Sequence, residues 1–230
     1  MAEFGLRWLH FLAGITWIGL LYYFNFVQGP FMAEADPATK SAATQKLVPR
    51  ALAWFRWSAL VTFLTGAAII GDRLGRASEG SAAWKSSWAV TILTGAFLGT
   101  VMLINVWGVI WRNQKVVIAS AKAAASGGQA NAAAPAAARR AFLASRTNVV
   151  LSIPMLFYMG AASHFTLPAT GSHSAYWVSL IVLVGLIEVN ALTATTGPTT
   201  KPIEKISGVI VTGFVVWGIT YALARAFLAP

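Results

Sequence analysis

The sequence predicts an all-α, polytopic membrane bundle, and three observations carry that reading. Of the 230 residues, 57% are hydrophobic and only 10% charged, too apolar a composition for a water-soluble domain of this length. The apolar residues fall into six runs, each matching the roughly 20 helical residues that cross a ~30 Å hydrocarbon core. Lys and Arg collect between alternate runs, the usual charge signature of a multi-pass topology.

The first run, about 6–27, contains HFLAGITWIGLL and starts almost at Met1. It has no basic leader and no small-residue cleavage site, so it is expected to stay in the membrane rather than be removed as a signal. The second covers about 52–71 and the third about 88–111. The fourth, about 147–167, is interrupted by Pro154; the fifth is about 175–197; the sixth, about 206–228, carries Gly208, Gly213 and Gly218. Such residues are tolerated where neighbouring helices take up the freed backbone groups. The whole chain, 1–230, reads as a single transmembrane domain. Its longest connection, 112–146, includes AKAAASGGQANAAAPAAARR and reads as a flexible cytoplasmic loop.

Eleven Lys and Arg, from Lys40 to Lys205, lie in the loops after runs one, three and five, against Arg7, Arg73, Arg76, Lys85 and Arg225 on the other side. The positive-inside rule puts the odd-numbered loops in the cytoplasm and both termini outside. The formal charge of +10 is then a topology signal that calls for membrane lipid as partner and no nucleic acid. Cysteine is absent, which excludes disulfides, thiolate metal sites and covalent haem attachment within these residues. No phosphate loop, Ser/His/Asp arrangement or spaced carboxylate pair is present either.

Two histidines recur with mirrored neighbours. His10 is followed by Gly14 and Trp17 on one helical face, and His164 is preceded by Gly160. The first run descends from outside and the fourth returns, so both imidazoles are expected near the outer boundary, each with a glycine one turn deeper. A flat macrocycle between two helices needs that pattern: an axial imidazole, and a missing side chain to clear the ring. The expectation is a haem b whose iron is held by His10 and His164, with Gly14, Gly160 and Trp17 around it. The plainer alternative is interfacial histidines with glycines serving close helix packing. His173, in TGSHSAYW, reads as a solvated loop residue. Glu188 lies inside the fifth run, where a carboxylate is expensive and marks function or an ion pair. Arg56 is its expected partner and the pair is a weak catalytic candidate; hydrogen bonding of Glu188 to Asn105 as structural glue is the alternative.

The runs WIGLLYYFNFVQGPF, WFRWSALVTFLTG, NVWGVIWRNQK and RRAFLASRTNVVLSIPMLFYMGAASHF resemble the membrane domain of the bacterial membrane-bound urate oxidases, or urate hydroxylases, through most of the chain. More weakly, the spacing of His10, Trp17 and Gly19 is similar to the first helix of copper-resistance D proteins and of haem-binding membrane protoporphyrinogen oxidases. The main resemblance implies urate oxidation coupled to a following cytochrome c domain. These residues include no such domain, so the expected acceptor is a separate cytochrome c or oxygen. Two other readings stand beside this one: a haem- or quinone-binding electron-transfer subunit of a respiratory complex, and a cofactor-free transporter or structural subunit working through Arg56 and Glu188.

Overall fold

The computed structural model describes residues 1–77 and 80–229, and among them there are helices and turns but no strand. Six helices are long and apolar enough to span a membrane: α1 Glu3–Glu34, α2 Pro37–Gly75, α3 Ser87–Ala125, α4 Ala134–His164, α5 His173–Thr193 and α6 Ile206–Leu228. The chain is a multi-pass helical membrane protein.

Starts and stops follow local chemistry. Asp36 caps α2 by accepting from the Ala38 and Thr39 amides at 2.9 and 3.0 Å, with Pro37 in the first turn where its missing N–H costs nothing. Ser86 and Ser172 cap α3 and α5 in the same way. The fifth helix ends at Thr193, four residues before its expected limit, because Gly197 takes a positive φ of 134° ahead of Pro198. The first three helices run well past the apolar runs.

The flexible loop expected at 112–146 is corrected most. It is helical through Ala125 and again from Ala134, leaving only residues 126–133 as a connection. Alanine is the strongest helix former, so an Ala-rich stretch that looks featureless by hydropathy extends its flanking helices.

The bundle is built around α4, its most buried span, which packs chiefly on α3 and α6. At Gly95 a side chain would lie 3.2 Å from the Met159 amide, so α3 and α4 meet backbone to backbone. Pro154 stays inside α4. It cannot donate to the Val150 carbonyl, and that carbonyl faces Gly213 of α6, where an added Cβ would sit 3.2 Å away. Polar side chains tie the helices further: Tyr158 donates to Thr220 at 3.1 Å, and the Tyr176 and Thr94 hydroxyls are 2.9 Å apart.

Both ends of the chain lie at one end of the bundle. Arg76, after α2, reaches Glu3 at 3.4 Å, and the Ser172 amide donates to the Phe227 carbonyl at 2.6 Å. Pro230 lies outside the described residues.

Candidate functional site: a glycine-walled cavity beside His10

Tyr22 and Ser152 join α1 to α4 through hydroxyls 2.9 Å apart. Toward the end that carries the termini, a cavity of about 850 Å³ lies between α1, α2, α3 and α4. That volume lies in the range of small-molecule and cofactor sites. Its lining is overwhelmingly apolar, with His10, Trp17, Trp84 and Trp88 among the walls. Six glycines also line it: Gly14, Gly19, Gly66, Gly71, Gly99 and Gly160. At Gly19, Gly71 and Gly160 an added Cβ would meet nothing within 4 Å, so these positions contribute open space. A smaller, polar depression of about 480 Å³ lies nearby, where Glu3, Arg73 and Arg76 meet, and its ion pairs account for it.

His10 is held in one orientation. Its Nδ1 lies 2.9 Å from the Thr62 carbonyl and 3.2 Å from Thr65 Oγ1. A carbonyl only accepts, and the Thr65 hydroxyl already gives its hydrogen to the carbonyls of Val61 and Thr62. Both partners are therefore acceptors, which puts a proton on Nδ1 and leaves the Nε2 lone pair free. An imidazole fixed through Nδ1–H to a carbonyl is the usual support of a metal-ligating histidine. The ring lies against Gly66, where a Cβ would stand 3.0 Å from Cε1.

Trp17 is 3% exposed, and its indole N–H has no hydrogen-bond partner. A buried donor without an acceptor is costly unless something supplies one. The residues present thus fit a flat, largely apolar group that offers an acceptor to Trp17 and an open position to His10, as a haem or a quinone does.

His164 matches His10 in depth: each lies twelve residues from the Tyr22–Ser152 contact, about 18 Å along its helix. It does not share the cavity. Ser163 and Gly160 line the wall, whereas His164, the exposed last residue of α4, points about 100° further round from Ser163. The sequence matches depth through periodicity, but a helix end turning into a loop sets which side chain faces inward. The two expected glycines also differ. Gly160 faces open cavity, whereas a Cβ added at Gly14 would stand 3.8 Å from the Thr62 methyl, so that position faces α2. His173 opens α5 and lies 3.0 Å from the Ala169 carbonyl through Nε2.

At the opposite end of the bundle the expected Arg56–Glu188 pair is not formed. The Arg56 guanidinium lies 3.8 Å from the centre of the Trp111 ring, with Trp107 and Trp57 beside it. Glu188 instead accepts from Asn105 at 3.0 Å, and Asn105 also donates to Asn148 at 2.9 Å. Aromatic faces compensate a guanidinium without a carboxylate, an option that a search for opposite charges overlooks. A π turn begins at Asn105, and another, Tyr23–Gln28, contains Asn25, which donates to Ser145 at 2.8 Å.

Sequence reasoning missed Thr62, Thr65 and Gly66. The signal was present, since polar and small residues at i, i+3 and i+4 inside an apolar run mark one helical face.

The fold and this cavity define a class: a polytopic helical membrane protein with an internal apolar site beside a fixed imidazole. Residues 77–219, more than half of the chain, match the urate oxidase N-terminal family, and the chain belongs to that family. His164 and Glu188 fall within the matched residues, and His10 precedes them. No curated protein and no solved structure matches the chain.

Proposed function

We propose that this chain is the membrane module of a urate-oxidising system in the bacterial inner membrane, with a b-type haem in the His10 cavity. The observation that carries the proposal is the oriented imidazole: Nδ1–H engaged by the Thr62 carbonyl, Nε2 unengaged, at the wall of an apolar, glycine-lined space. His10 would hold the iron, Trp17 would donate to an oxygen of the bound group, and Gly160 would leave room for the ring. His164, at matched depth, faces away from the cavity, so His10 is the one protein ligand of this proposal. Haem supplies one-electron redox chemistry when bound. Hydroxylation of urate consumes one water and releases two electrons and two protons, so an acceptor is required; a separate cytochrome c or oxygen fills that role.

The apolar lining also supports a second reading, a non-catalytic electron-transfer subunit whose cavity takes a quinone from the lipid. One experiment separates the two. The protein is purified from cells supplied with haem precursor, and its absorption spectrum is recorded before and after urate is added anaerobically. A Soret band whose reduced α and β bands grow with urate supports the proposal. A haem that dithionite reduces and urate does not leaves the electron-transfer reading, and a protein that takes up no haem refutes the haem assignment.

A further inference from the structure

The walls of the His10 cavity are apolar but not uniform. Among the described residues that line it, Arg7 is the one with a charged side chain. Arg7 lies three residues before His10 on α1, about 4.5 Å nearer the end that carries the termini and on the neighbouring part of the same helical face. Glu3 sets its position: Nε and Nη2 of Arg7 both donate to Glu3 Oε1, at 3.1 and 2.8 Å. The pair engages one flank of the guanidinium and leaves Nη1 without a partner among the described residues. The Arg7 side chain is 40% exposed, so that free flank is within reach of a ligand.

The surroundings are graded in the same direction. Glu3 also lines the polar depression of about 480 Å³, and Trp88 lines both spaces, so the depression adjoins the cavity near Arg7. Past His10 the walls turn to residues such as Ile18, Gly99 and Met155, which carry no charge. A ligand that fits this gradient is a flat apolar body with an acidic arm, because an ionised carboxylate held there without a donor would be costly. A guanidinium edge is the group best shaped to receive one. An arginine near a helix end has a plainer use, as a cation that reaches the membrane surface by its own length. Here the same side chain walls an internal cavity next to a fixed imidazole, which an interfacial cation does not require.

We infer that Arg7 anchors one carboxylate of the haem held at His10 and so fixes how the ring is turned in the cavity. This rests on the haem reading above and assigns a residue to it. Haem b carries two carboxylates on flexible arms. One is received by the free flank of Arg7, and the other is the oxygen left for Trp17.

The test is a titration of the detergent-purified full chain, followed at the Soret band, with haem b and with its dimethyl ester, in which both carboxylates are blocked. Wild type should prefer the free acid. Arg7→Gln should lose about five- to tenfold in affinity for haem b, the low end for charged hydrogen bonds because the site is partly exposed, and should bind the diester as wild type does. The preference for the free acid should therefore shrink by the same factor, and Arg7→Lys should restore part of it. Thermal unfolding accompanies each variant, and the wild-type comparison of the two porphyrins stands even if a variant fails to fold. Equal binding of haem b and diester by wild type overturns the inference and leaves the haem reading intact. Equal losses for both porphyrins in Arg7→Gln, or no loss for either, return Arg7 to a structural or interfacial role and also overturn it. A wild-type protein that takes up neither porphyrin removes the haem reading itself.

Discussion

Gly66 is the most sensitive position in the His10 site, and Gly66→Ala probes it with a single methyl group. The added Cβ would stand 3.0 Å from His10 Cε1 and 3.3 Å from Nδ1, closer than carbon settles against a ring atom. The imidazole is already tied to Thr62 at 2.9 Å, so it can yield only by stretching or breaking that bond. The lost hydrogen bond costs about 1 kcal/mol, and local overpacking about 1–3 kcal/mol. The gain in helix propensity from glycine to alanine returns about 1 kcal/mol. Global stability should therefore fall by about 1–3 kcal/mol, while His10 loses its fixed direction. A ligand misaligned by 1–2 kcal/mol corresponds to a five- to thirtyfold drop in affinity for the group it holds. The assay is haem titration of the purified protein followed by its Soret band, alongside thermal unfolding. A variant with wild-type affinity, spectrum and melting temperature would show that His10 orientation does not depend on this contact, and the tautomer argument would lose its structural basis.

Gly160→Leu and Gly14→Leu should separate: the first enters open cavity and should lower haem content with little change in stability, whereas the second meets Thr62 and should push α1 from α2, measured as a lower melting temperature. Gly213→Ala brings a methyl to within 3.2 Å of the carbonyl left free by Pro154 and should destabilise by about 1–3 kcal/mol in denaturant unfolding, with haem content per folded protein unchanged. Hydrogen bonding from Arg139, reinforced by its charge, holds the Glu204 carboxyl below its ordinary range. A depressed carboxyl pKa stabilises the fold above the unfolded value of about 4.5 and loses that contribution as pH falls through the folded value. Both side chains are partly exposed, so Glu204→Gln should cost less than about 1 kcal/mol at pH 7, with the difference vanishing in acid. The charge asymmetry predicts both termini outside, so a fluorescent reporter that folds only in the cytoplasm should stay dark at the C-terminus and light up within residues 126–133.

The sequence made the spans legible because hydropathy and helix length are set locally by the membrane. The sixth span matches its expected limits, and the others differ where local chemistry outweighs apolarity: a glycine at positive φ after Thr193, alanine propensity on both sides of residues 126–133. The candidate site was legible in part. Depth follows from counting residues, so His10 and His164 are level; azimuth does not, because the facing of a helix end depends on the next loop, and His164 turns aside. Arg56 and Glu188 look complementary as charges, but the sequence does not show that three tryptophans converge on the one and that Asn105 donates to the other.

Glu188 lies at the level of Asn148 of α4, since Asn105 bonds to both, whereas His10 lies at the level of His164. Sixteen residues separate Asn148 from the level of His164, about 24 Å along the helix. Urate bound beside Glu188 would not reach a group ligated by His10, and the cavity would then serve as an electron acceptor. The hydroxyl oxygen must then come from water at the substrate end, and the base that activates that water has to be found there. Glu188 is the carboxylate in position to be examined for this role, since Asn105 holds it through one oxygen and no cation pairs with it among the described residues. Glu188→Gln keeps the Asn105 hydrogen bond and removes the base. Slower urate-dependent reduction with unchanged urate affinity would assign proton removal to Glu188. An unchanged rate would return the Glu188–Asn105–Asn148 network to a structural role.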